Sequence, residues 1–164
     1  MDTQWEDFRP QLEKIINDGK IGDFIRDRIL YGTGPELSDT NEPPESLLLY
    51  FAGRSGNEGR VYRDEILGAT RELLKEVAHK IPHDGSSNDY VSGLGFLLEQ
   101  TEDKSSCPIA LDLLLNKGIT STNPPYFSLD GESRLLNVFA ANYDSSLLDE
   151  RKGQASALFL RYIN

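Results

Sequence analysis

Three stretches of this sequence combine residue types that could do chemistry. The first is "YFAGRSGNEGRVYRDE", Tyr50 to Glu65, where Gly53, Gly56 and Gly59 recur at three-residue intervals and Arg54, Arg60 and Arg63 stand among and after them. Glycines let a backbone approach an anion closely, and the free N–H groups at a following helix N-terminus would complete such a cradle. The familiar phosphate motifs are nevertheless missing. A P-loop needs G-x-x-x-x-G-K-[ST] after a strand, and a dinucleotide fingerprint needs two glycines one residue apart at a strand end; neither register occurs, and the preceding "LLLYFA" has a helical pattern. Gly53 is therefore expected as a left-handed helix cap, with Gly56 and Gly59 as turn residues. Arg54, Arg60 and Arg63 remain a candidate anion-binding set, or a counterweight to acids upstream.

The second stretch holds the only two histidines, His79 and His83, at H-x3-H spacing. On one continuous helix that spacing presents two imidazoles to a zinc ion, but Pro82 interrupts the helix and no glutamate completes H-E-x-x-H, so no metal site is expected. The third is the single cysteine, Cys107, immediately before Pro108 at the expected start of a helix, where the dipole would lower its thiol pKa. That position suits a nucleophile or a small residue tucked under a loop. No histidine or acid partner can be assigned to it, and no G-x-S-x-G elbow occurs, so the chain is not expected to be an enzyme or to need a cofactor.

The elements that must position these residues are helices. Apolar residues recur at three- and four-residue spacing, and sustained alternation of β-branched residues is absent, which predicts an all-α fold. Trp5, Phe8, Leu12, Ile15 and Ile16 trace a first stripe, with Pro10 expected to open the helix and Gly19 to stop it. A second helix turns Ile21, Phe24, Ile25 and Ile29 inward and Asp23, Arg26 and Asp27 outward. The acidic, proline-containing segment "ELSDTNEPPE" follows, and a third helix runs from Pro44 through "SLLLYFA". The fourth spans about Val61 to Lys80, with Tyr62, Ile66, Ala69, Leu73 and Val77 inside and Arg63, Glu72, Lys75 and Glu76 outside. After a predicted loop "HDGSSND", a fifth helix contains Tyr90, Val91, Leu94, Leu97 and Leu98. "CPIALDLLL" begins a sixth, buried on most sides. "ESRLLNVFAANY" and "SSLLDERKGQASALFLRYI" form a final pair, the last turning Leu147, Leu148, Ala155, Leu158, Phe159 and Tyr162 inward. This is about eight helices in antiparallel hairpins.

Displacing the chain by 88 residues sets "LLLYFA" (Leu47–Ala52) on "LLNVFA" (Leu135–Ala140), and Ala69 on Ala157. Half that offset is 44, within the ~40–47 residues of a two-helix solenoid repeat. In period and apolar pattern, though without a signature motif, the chain resembles the general HEAT or armadillo type. The competing expectation is an irregular helical bundle.

The 164 residues suit one domain, residues 1–164. A net charge of −10 opposes binding to nucleic acid or to an anionic membrane and favours a basic protein partner. A lone cysteine, no secretory leader pattern and no long apolar run predict a cytoplasmic protein. The expected function is that of a protein-interaction module of adaptor, immunity or chaperone-like kind. It would use helix faces and the acidic segment with Glu36, Asp39, Glu42 and Glu45, joined by Tyr126 and Phe127 in "NPPYFS". The alternative is a small-ligand-binding or enzymatic helical domain with a pocket between helices.

Overall fold

A computed structural model describes residues 2–28, 52, 62–80, 85–115, 129–148 and 151–163. Among them there is no strand, and the chain is all-α. Seven helices are described: α1 (Asp2–Asn17), α2 (Ile21–Arg26), α3 (Arg63–Lys80), α4 (Gly85–Gln100), α5 (Cys107–Leu113), α6 (Leu129–Ala141) and α7 (Lys152–Ile163). Short 3-10 turns at Lys104–Ser106 and Ser145–Leu147 precede α5 and α7. The helix expected from Pro44 lies outside the described residues except for Ala52, which is buried.

α1 corrects the expectation that Pro10 opens the first helix, because Pro10 sits well inside it. Phe8 and Leu12 on either side of the proline are both buried, while Pro10 itself is exposed. An interior proline costs about 3 kcal/mol. Burying two large apolar side chains returns about 1.5–3 kcal/mol each, so one uninterrupted helix that buries both is favoured. Gly19 ends the helix as expected. Its φ of 70° is left-handed, its N–H donates to the Ile16 carbonyl (3.0 Å), and the Lys20 N–H donates to the Ile15 carbonyl (2.9 Å), the pairing of a Schellman cap.

α2 turns Phe24 and Ile25 into the core, and the rings of Phe8 and Phe24 lie 6.3 Å apart. α3 buries Ile66, Leu67, Thr70, Leu73 and Leu74 and exposes Asp64, Glu65, Glu72 and Lys75. Asp64 and Glu65 in its first turn suit the positive end of the helix dipole. α4 begins at Gly85, inside the stretch expected as a loop. The cap-forming residue types of "GSSND" are neutral enough for the buried run Val91, Leu94, Leu97 and Leu98 to extend the helix back over them. α5 has Pro108 in its first turn and buries Cys107, Ala110, Leu111 and Leu113, leaving Asp112 exposed.

The last pair departs from expectation at its junction. The helix does not start at Ser145, because Asp144 adopts an extended conformation and its side chain accepts from the Ser146 N–H (3.0 Å) and hydroxyl (2.5 Å). This cap forms a separate turn. It leaves Leu147 40% exposed where it was expected inside, while Leu148 is buried as expected.

α3 lies against α2, α4 and α5, α6 lies against α4 and α5, and α1 touches α2. Two of these contacting pairs start at equal intervals: Arg63 and Cys107 are 44 residues apart, and so are Gly85 and Leu129. The alanines aligned by the 88-residue displacement do not share environments, since Ala52 is buried and Ala140 exposed, and Ala69 is partly buried and Ala157 exposed. No helix among the described residues is long and apolar enough to cross a membrane.

Candidate functional site

The densest polar chemistry among the described residues lies where α4 gives way to α5, in "TEDKSSC" from Thr101 to Cys107. A helix ends with carbonyls that lack intrahelical donors, and burying such an end requires donors from elsewhere. Here α3 and α6 supply them. Arg63, on the first turn of α3, donates to the carbonyls of Thr101 (2.6 Å), Glu102 (3.5 Å) and Ala52 (2.9 Å). The side-chain amide of Asn142, just past α6, donates to the Leu98 carbonyl (3.0 Å) and to the Ser106 hydroxyl (3.1 Å).

Within the corner, the Thr101 hydroxyl donates to the Leu97 carbonyl (2.6 Å), and the Ser106 hydroxyl and N–H both reach the Asp103 carbonyl (2.6 and 3.0 Å). Glu102 adopts φ of 54°, a left-handed conformation that a side chain disfavours by about 1–2 kcal/mol. Asp103 pairs with Arg71 of α3 at 2.7 Å, with Asp103 the more deeply buried partner. The second carboxylate oxygen of Asp103 and the amide oxygen of Asn142 are buried acceptors without a hydrogen-bond partner. Thr101, Asp103, Ser106 and Asn142 are all almost inaccessible to solvent.

Cys107 adjoins this corner and is fully buried. Burial pushes its thiol up, only partly opposed by a backbone hydrogen bond from Asp144. The expected lowering by the helix dipole is thus outweighed by desolvation, and the thiol is held in its protonated, weakly nucleophilic form.

Of the residues singled out from sequence, Arg63 is described and is turned inward onto main-chain carbonyls, correcting its assignment to the outer face of α3. Its guanidinium supplies donors to the carbonyls just past the end of α4 and to that of Ala52. Arg54, Arg60, Glu36, Asp39, Glu42, Glu45, Tyr126, Phe127 and His83 lie outside the described residues; His79 lies on the last turn of α3. Among the described residues, no group of three or more His, Cys, Asp or Glu side chains is placed to hold a metal ion.

Sequence reasoning missed Thr101, Asp103, Ser106 and Asn142. Two of them carried a signal: Asn142 continues the stripe Leu135, Val138, Phe139, and Thr101 continues Leu94, Leu97, Leu98. A polar residue at an inward position of an amphipathic helix marks a buried hydrogen bond.

A second region has the opposite character. Among the described residues, the large apolar side chains that stand exposed are Tyr143 (49%), Leu147 (40%) and Leu160 (58%), all after the end of α6. Tyr143 meets the buried Phe139 edge-on at 5.7 Å, which fixes one side of its ring and leaves the other to solvent. Comparison of the chain with protein-family models, with curated proteins and with solved structures finds no match.

Proposed function

We propose that the chain is a helical-hairpin repeat domain that binds a protein partner. The observation that carries this reading is the recurrence of contacting helices at 44 residues, α3 with α5 and α4 with α6. The same interval is half the 88-residue displacement at which the sequence matches itself. Helical arrays of this kind bury a continuous core by stacking and offer long faces to other proteins. The net charge of −10 selects a basic partner and disfavours nucleic acid and anionic lipid. On this reading, the acidic segment with Glu36, Asp39, Glu42 and Glu45 contributes the charge, Tyr126 and Phe127 contribute apolar contact, and the protein works in the cytoplasm. The alternative, a small-ligand-binding or enzymatic helical domain with a pocket between helices, would have to use a Cys107 that is buried and whose thiol burial pushes up.

The test is capture with the full chain, identification of stoichiometric partners, and measurement of their affinity against salt with purified components. A basic partner whose affinity falls as ionic strength rises is the expected result. An affinity unchanged between low and high salt overturns the electrostatic part of the reading, and failure to find any stoichiometric protein partner overturns the whole.

A further inference from the structure

We draw no further inference here: the strongest candidate, the side-chain cluster at the α4–α5 corner where the second carboxylate oxygen of Asp103 and the amide oxygen of Asn142 are buried without a hydrogen-bond partner, belongs to the site already described, and nothing in the structure shows the two oxygens facing one ligand.

Discussion

At the α4–α5 corner, Thr101, Asp103, Ser106 and Asn142 are polar and buried, whereas on the outer sides of α6 and α7, Ala140, Tyr143, Ala157 and Leu160 are uncharged and exposed. The two regions reverse the ordinary partition of side chains, and for different reasons. At the corner, the fold demands polarity: a helix ends inside the protein, its carbonyls need donors, and an apolar side chain would leave them unmet. On the outer stripes, nothing within the described residues demands apolarity. Polar residues there would satisfy the fold equally well.

The sharpest way to break this contrast is Asn142→Ala. It removes both donors to the Leu98 carbonyl and the Ser106 hydroxyl and should lower stability by about 2–3 kcal/mol. Denaturant unfolding measures this, and a loss below about 0.5 kcal/mol would show that the corner does not depend on its polar groups.

Gly95→Ala probes the contact between α4 and α6, which lies between the two regions. An alanine normally stabilises a helix interior by about 0.8–1.0 kcal/mol over glycine. Here its Cβ would stand 2.5 Å from Arg134 Cγ and 3.2 Å from a methyl of Val138. Arg134 cannot yield freely, because its guanidinium pairs with Glu99 at 2.5 Å and lies 5.7 Å from the Phe96 ring centroid. A net loss of about 1–2 kcal/mol is expected, read as a lower thermal midpoint; a raised midpoint would mean that the helices have room to separate.

Glu102→Gly tests the corner in the other direction. Glycine adopts the left-handed conformation without the penalty of a Cβ, so this change should raise stability by about 1 kcal/mol in denaturant unfolding. A loss instead would mean that the glutamate side chain itself holds the corner.

The smallest expected effect lies away from both regions, where Tyr62 donates a hydrogen bond to Glu13 and ties α3 to α1. Desolvation first, and the Glu13 carboxylate second, push the Tyr62 phenol up to about 12 from 10.0. The folded state therefore holds this proton more tightly than the unfolded state. Its contribution is fully present below about pH 10 and is lost as pH rises through about 12. Stability measured over that window should fall less steeply in Tyr62→Phe than in the parent chain, and equal slopes would remove Tyr62 from the account.

Helix content and most core positions were legible from spacing alone. Ile66, Leu73, Leu94, Leu97 and Leu98 fall where a 3.6-residue period puts them, because burial of an apolar stripe is what stabilises these helices. The corner was not legible, because the same period assigns polar residues outward. Arg63 has the composition of a surface residue and becomes internal only when Ala52 and Thr101 arrive from 11 and 38 positions away. Glu102 carries no residue-type signal for its conformation, since glycine or asparagine is the usual choice there. Pro10 misled for a related reason: its local cost was plain, but the burial of both Phe8 and Leu12 that outweighs it is a tertiary property. The residues expected to meet a partner at Glu36 to Glu45 and at Tyr126 and Phe127 lie beyond the described residues, so the contrast drawn above rests on neither.

Arg63 also bears on how the protein comes apart. In an array whose helices touch only near neighbours, the ends can fray while the middle persists. One guanidinium that bridges the carbonyls of Ala52, Thr101 and Glu102 makes the loss of any one of these segments felt by the others. Ala52 and the residues around positions 63 and 101 should therefore exchange their amide protons as a single cooperative unit.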